Sequence, residues 1–437
     1  MTTVSTGHTA SGKRSALSKR VWFALVIVGL MGQLAWTVEN MYLNVFVYDT
    51  ISDDPTVIAA MVAASALTAT VATLLFGAIS DKAGRRRVFI AGGYVLWGLS
   101  TMAFGLISVE GFEKFASVAD AVILTGIAVV LLDCVMSFFG SSANDAAFMA
   151  WVTDVTNTEN RGRVESVLAA LPLLSILIVF GTVDGFAASG QWSTFFTLIG
   201  GAIIVVGVIA WFLVRDAPGI AAQPDGVFRS IAHGLRPSVV RANPRLYLAF
   251  CVTLVLGIAT QVFLPYLLIY IQRYLKIEAY ALVLGIVLVG AATFSVLGGR
   301  VIDRVGKLNF LPSAVVLYAL GLFLMFFARD TVFVIVAGTV MMTGFMLSVA
   351  AIGAAVRDYT PVDRAGAVQG IRMLFTVLLP MLTGPFIGAA VIRGADEYYE
   401  DLGVLKQVPS PGIFLAAAIV VLLVLIPARM LRKQAAR

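Results

Sequence analysis

The sequence predicts an all-α membrane protein of twelve transmembrane helices arranged as two pseudo-symmetric six-helix halves. Three observations carry that expectation. The apolar runs are too long and too many for a soluble core, a charged turn in the first half recurs in the second, and the cations fall almost wholly on one side of the runs. The 437 residues are 59% hydrophobic and 13% charged, with a mean hydropathy of +0.94. A soluble domain carries roughly twice that charge fraction, and a helical span needs about 20 mainly apolar residues.

Met1–Arg20 is rich in Ser, Thr and Gly, shows no signal-cleavage pattern, and is expected to be a disordered tail. Twelve apolar runs follow, at 21–48, 55–79, 88–109, 119–152, 164–187, 192–214, 246–271, 280–302, 310–328, 331–355, 367–392 and 412–431. Lipid offers the backbone no hydrogen-bond partner, so each run is expected to be a helix. Helix 4 is too long for one straight crossing, so it is expected to tilt, to kink near Gly140 or to follow an interfacial turn. Residues 215–245, rich in Pro, Arg and polar side chains, read as a linker between the bundles 21–214 and 246–431, with a short tail at 432–437.

Of the 31 Lys and Arg residues, 25 fall in the tails, the linker and the loops on their side. Only Lys114, Arg273, Lys276, Arg329, Arg393 and Lys406 fall on the other. Cations collect on the cytoplasmic side, so both termini are expected in the cytoplasm of a plasma-membrane protein with an even number of spans. The net charge of +6 then reflects topology and no nucleic-acid partner. Cys134 and Cys251 lie inside apolar runs and are expected to be free thiols, while His8 and His233 lie outside the spans and cannot relay protons through them.

Between helices 2 and 3 runs Gly77-Ala-Ile-Ser-Asp81-Lys-Ala-Gly84-Arg85-Arg86-Arg87, and between helices 8 and 9 runs Gly299-Arg-Val-Ile-Asp303-Arg304-Val-Gly306-Lys307. Both place Asp four residues after the first Gly, a cation next, and a second Gly followed by a cation. A positive topology anchor would explain the cations but not the Gly and Asp spacing. A second repeat follows helices 4 and 10, Asp154 to Arg161-Gly162 and Asp358 to Arg364-Ala-Gly366. The offsets differ by about 18 residues, an insertion expected around Val109–Asp120 on the outer side. Matching elements in two halves indicate a transporter plan with its binding site between the halves near mid-membrane.

The turn resembles the signature loop of the major facilitator superfamily, G-x-x-x-D-R-x-G-R-R. The resemblance implies alternating access by rocking of the halves, without enzyme activity, with no cofactor other than a coupling ion, and in a monomer. It also implies a gating role for Gly77, Asp81, Gly84 and Arg85, and for Asp303, Arg304 and Lys307 in the second copy. In the family the turn carboxylate meets the N-terminus of helix 11, where a negative charge is favoured. Arg161 and Arg364 are expected to pair with acidic groups on the same surface.

Ionisable groups inside a membrane mark a functional site by default. In helix 1, Gln33, Trp36, Asn40 and Asn44 share one helical face with Glu39 on its shoulder. In helix 4, Asp133, Ser137, Ser141 and Asn144 share a face with Asp145 beside them, and Asp184 closes helix 5. At a rise of about 1.5 Å per residue, Glu39, Asp133 and Asp184 reach a similar outer level, with Asn144 and Asp145 deeper toward the cytoplasm. The first half thus carries carboxylates with no embedded cation to neutralise them. Groups this close titrate as a set, which suits proton or sodium coupling through Glu39, Asp133 and Asp145. The alternative for Asp133 and Asp184 is the wetted outer mouth. In helix 7, Gln261, Phe263, Pro265, Tyr266 and Tyr270 form an aromatic stripe that serves either packing or ligand contact. Arg372 snorkels to the inner surface or faces the cavity. Gly384 to Gly388 in helix 11 reads as close helix packing with a bend at Pro385.

Gly32-x-x-x-Trp36-x-x-Glu39-x-x-Tyr42 resembles helix 1 of the glycoside–pentoside–hexuronide carriers and the related sucrose–proton symporters. Two departures stand against it: Phe148 and Met149 occupy the region where plant sucrose carriers have an Arg, and helix 2 lacks the paired acids of sodium-coupled melibiose carriers. The expectation is a proton-coupled symporter of a neutral polar solute such as a sugar or glycoside. Asn40, Asn44, Asn144 and Gln261 would hydrogen-bond hydroxyls, Trp36 would stack on a ring, and Gln33 and Tyr266 would complete the solute site. Alternatives are an exporter of cationic or amphipathic drugs and a transport-dead sensor or scaffold.

Overall fold

The computed structural model describes residues 17–115, 117–157, 160–216, 236–360, 371–401 and 404–435. The tail to residue 16, most of the linker and Arg364 lie outside the described residues, as do the side chains of Asp81 and Asp303.

Twelve helices long and apolar enough to span a membrane are present among the described residues. Helices 1 to 6 are Lys19–Thr50, Pro55–Ser80, Arg86–Leu106, Asp120–Val155, Arg163–Thr182 and Trp192–Leu213. Helices 7 to 12 are Pro244–Tyr274, Tyr280–Ile302, Lys307–Phe327, Thr331–Tyr359, Ile371–Ala395 and Gly412–Ala435. They follow the apolar runs closely because apolarity and helical hydrogen bonding end together where water can take over the backbone. Asp184 departs from the expectation: it lies past the end of helix 5 and opens a separate short helix, Asp184–Ala188. Two further elements stand on the side away from the signature turns, here the far side; the turns lie on the basic side. One is the short helix Val109–Glu113, within the expected insertion. The other is an antiparallel hairpin, Tyr398–Asp401 with Val404–Gln407, which the all-α expectation did not contain.

Four helices are locally unwound into π turns: Val38–Tyr42 in helix 1, Ser141–Phe148 in helix 4, Tyr270–Tyr274 in helix 7 and Leu374–Leu378 in helix 11. In helix 4 the unwinding begins directly after Gly140, where a Cβ would stand 2.6 Å from the Trp97 ring. The long helix 4, Asp120–Val155, is therefore broken by a π segment at the expected kink.

Each half ties its basic side internally. Arg86 donates to Asp154 at 3.1 Å, and Lys307 pairs with Asp358. Each signature turn thus holds the acid that opens its own half's second repeat. Arg161 points its Nε at Thr156 Oγ1, 3.5 Å away, while Asp154 is held by Arg86. Gly84 and Gly306 adopt φ of 62° and 87°, which explains their spacing in the two turns.

The hydrogen bonds and ion pairs described between the halves all lie on the far side. They join the ends of helices 1 and 7, 2 and 11, and 5 and 8, and the hairpin to the start of helix 2. Helix 7 packs tightly on helix 11: a Cβ at Gly388 would stand 2.1 Å from the Val262 carbonyl oxygen, and one at Gly384 2.4 Å from Gln261 Cβ. Gly388→Ala must push these helices apart. The expected loss is about 1–3 kcal/mol, seen as a lower melting temperature of the purified protein. Gly394→Ala, whose Cβ would meet nothing within 4 Å, leaves the melting temperature unchanged.

Candidate functional site

The site is built on the π turn of helix 1. Unwinding by one residue turns Glu39 into the first bundle, where it is 7% exposed. Its Oε1 accepts a 2.7 Å hydrogen bond from Ser137 of helix 4. Asp133 lies one helical turn before Ser137, is 1% exposed, and has Ser65 of helix 2 beside it. Glu39 Oε2 and Asp133 Oδ1 are both buried with no hydrogen-bond partner. The two carboxylates are electrostatic neighbours, and no basic residue occurs at this level of the first six spans. Asp133 is therefore buried between helices 1, 2 and 4 and does not open onto the far-side surface in this state.

The π segment of helix 4 builds the second half of the site. Asp145 accepts from Ser141 Oγ at 3.1 Å and from Asn144 Nδ2 at 3.0 Å, and Trp36 of helix 1 also hydrogen-bonds it. Asn144 in turn accepts from Tyr94 at 3.0 Å, in a hydroxyl shared with the Val28 carbonyl at 2.8 Å. Both ends of the Asn144 amide are thus engaged in orienting Asp145. Trp36 leans on Trp97, with ring centroids 5.0 Å apart and planes inclined by 53°.

Among the other residues expected at the solute site, Gln33, Asn40 and Gln261 are half-buried, as is Trp36. Asn40 and Asn44 each donate to the backbone carbonyl four residues earlier, at 2.8 Å. Asn44 is buried with its Oδ1 unpartnered. Tyr266 stands elsewhere than expected. It is fully buried and shares its hydroxyl between the carbonyls of Pro55 at 3.0 Å and Pro385 at 2.9 Å, so in this state it clamps helix 7 to helices 2 and 11. Of the residues expected to gate, Arg85 and Arg304 are exposed. Arg372 is half-buried at the start of helix 11.

Sequence reasoning missed the far-side clasp. Asp184 Oδ1 accepts from Tyr42 at 2.6 Å and from Tyr280 at 2.7 Å, which links helices 1, 5 and 8 across the two halves. Around it, Arg273 meets Asp49 at 2.8 Å, Arg393 meets Asp54 at 2.6 Å, and Tyr48 donates to the Gln407 carbonyl at 2.6 Å. A signal was available: two of the six far-side cations lie at the ends of helices 7 and 11, with acids at the matching ends of helices 1 and 2.

A family model described as Major Facilitator Superfamily matches residues 21–279 and again 249–436. The chain belongs to the major facilitator superfamily. No functionally curated protein matches it by sequence. A nucleoside transporter structure superposes with a TM-score of 0.71 at 13% identity, covering 94% of this chain and 99% of that one. A bacterial homolog of the human lysosomal transporter Spinster, inward-facing and occupied, gives 0.70 at 12% identity, covering 95% and 96%. A D-xylose–proton symporter gives 0.67 at 14%, covering 93% and 97%. At these identities the likeness is one of fold. This superfamily transporter is held here with its far side closed.

Tyr280→Phe removes the donor that reaches across the halves to Asp184. A hydrogen bond to a charged group contributes about 1.5–3 kcal/mol, so the far-open population should rise roughly tenfold or more. Spin labels at Ser189 and Glu278, in a background lacking Cys134 and Cys251, should show a longer distance. Asp54 behaves differently. Burial acts to raise its carboxyl, but hydrogen bonds from the Thr56 N–H and from Arg393 outweigh it and hold the group below its ordinary value. A lowered value means that the contact persists above the ordinary range and is lost only as pH falls through the lowered one. Between about pH 5 and pH 8, Asp54→Asn should therefore leave the pH dependence of the label distance unchanged.

Proposed function

We propose that this chain is a proton-coupled symporter of a neutral, hydroxyl-rich solute, working by alternating access, with Glu39 and Asp133 as the coupling pair and Asp145 as an accessory acid. One observation carries the reading: Glu39, held by Ser137, and Asp133, with Ser65 beside it, are electrostatic neighbours, each has a buried unpartnered oxygen, and no basic residue occurs at their level of the first six spans. An isolated buried charge is far costlier than a neutral carboxyl. A bound proton cancels one of the two negative charges and turns an acceptor into a donor.

The same π turn supports coupling to the gate. Glu39 and Tyr42 both belong to Val38–Tyr42, and Tyr42 donates to the clasp through Asp184. A change in occupancy at Glu39 acts on the far-side closure through one locally unwound turn. On the basic side, Asp81 with Arg85 and Asp303 with Lys307 would form the opposing gate. Gly77 and Gly299 face open space, where a Cβ would meet nothing within 4 Å, which leaves room for that closure.

Gln33, Trp36, Asn40 and Gln261 are half-buried on helices 1 and 7 and suit hydroxyl and ring contacts. Asn144 serves by orienting Asp145. Sugars and nucleosides are the first solutes to test, since the similar folds include a nucleoside transporter and a D-xylose–proton symporter. The unpartnered Glu39 oxygen also favours a second reading, efflux of a cationic amphipathic solute. Proteoliposomes under an imposed pH gradient separate the two by whether sugars or lipophilic cations move.

Glu39→Gln keeps the shape and removes the titration. For the solute so identified, it should abolish uphill uptake while sparing counterflow within about threefold of the wild type, a change of under 1 kcal/mol. Uphill uptake that persists in this variant rules out Glu39 as the coupling residue.

A further inference from the structure

A concavity of about 710 Å³ opens on the basic side between the start of helix 9 and the end of helix 12. It plays no part in the coupling site. Its rim carries Lys307, Arg429, Arg432 and Lys433. Helix 12 is interrupted near Leu422–Leu425, just before Pro427, whose ring cannot continue regular hydrogen bonding to the preceding turn. Beyond the break, the segment Leu425–Ala435 presents Arg429, Arg432 and Lys433 at positions i, i+3 and i+4, one face of the helix. All three are exposed, and none makes a described ion pair. Lys307 pairs with Asp358, the one carboxylate described at the rim. The N-terminus of helix 9 also opens here, at Gly306, with no side-chain cap on its amides.

Above the cations the surface turns apolar. Leu423 and Ile426 of helix 12 are 50% and 60% exposed, and Val316 of helix 9 is 51% exposed; Met430, 52% exposed, stands among the cations. Cations at the level of a headgroup beneath apolar side chains at the level of acyl chains match an amphiphile, where a free phosphate would use only the lower part.

We propose that this groove between helices 9 and 12 binds the phosphodiester headgroup of an anionic lipid, with its acyl chains along Leu423 and Ile426. Its cations attract the phosphate, and the uncapped helix 9 terminus adds a favourable end for a negative group. Lys307 belongs to the second signature turn, so a phosphate here competes with Asp358 for it and links lipid occupancy to the end of helix 10.

Native mass spectrometry of the full-length protein in mild detergent tests this, with phosphatidylglycerol and phosphatidylcholine added in parallel. The wild type should retain phosphatidylglycerol in preference to phosphatidylcholine. The variant R429Q/R432Q/K433Q should bind phosphatidylglycerol on the order of a hundredfold more weakly, about fivefold per cation removed, with phosphatidylcholine binding unchanged. R429K/R432K should keep the preference, which separates loss of charge from loss of fold. Inorganic phosphate at millimolar concentration should not displace the lipid. Equal phosphatidylglycerol retention in the glutamine variant overturns the proposal. Displacement by inorganic phosphate also overturns it and assigns the groove to a free anion.

Discussion

Inside a bilayer every polar group must find its partner within the protein, and that constraint shapes both the scaffold and the site. Backbone groups meet it by staying helical. Hydroxyls meet it by folding back on their own helix: Thr70, Thr125, Ser142, Thr253 and Ser348 each donate to the carbonyl four residues earlier. Against that habit, Ser137 and Ser141 turn to carboxylates, on Glu39 and Asp145. The cluster of buried acids is thus marked by hydroxyls that abandon the local solution to serve a carboxylate.

The π turns follow the same logic. An extra residue in a turn re-aims a side chain and loosens a few hydrogen bonds, and such turns cluster at functional positions. Here they place Glu39 and Tyr42 in helix 1 and Asn144 and Asp145 in helix 4. The two ends of the molecule use charge differently. On the basic side each half pairs its own acid with its own cation, Asp154 with Arg86 and Asp358 with Lys307. On the far side Asp49, Asp54 and Asp184 bond across to the other half.

Much of this architecture was legible in the chain. The spans could be read because apolarity is their cause, and the twofold plan because Gly84 and Gly306 repeat a backbone requirement. The acids could be read because nothing else explains a carboxylate in a span. What escaped was whatever depends on packing between distant segments. Tyr280 looks like any interfacial tyrosine until Asp184 is brought beside it. Tyr266 looked fit for a ligand until its hydroxyl was found between two proline carbonyls. That Asp154 is held by Arg86 is likewise decided by geometry. The hairpin at Tyr398–Gln407 is short, polar and Tyr-rich, without the alternation that announces a strand.

The far-side closure includes hydroxyls, carboxylates and guanidinium groups near the ends of the spans: Tyr48, Asp54, Asp184, Tyr280 and Arg393. When such groups part, solvent can enter and take the place of each lost partner, which offsets part of the loss. An apolar seal of the same extent would expose oily surface on separation and resist it in proportion to area. Built this way, the door opens by exchanging partners with water rather than by baring oily surface.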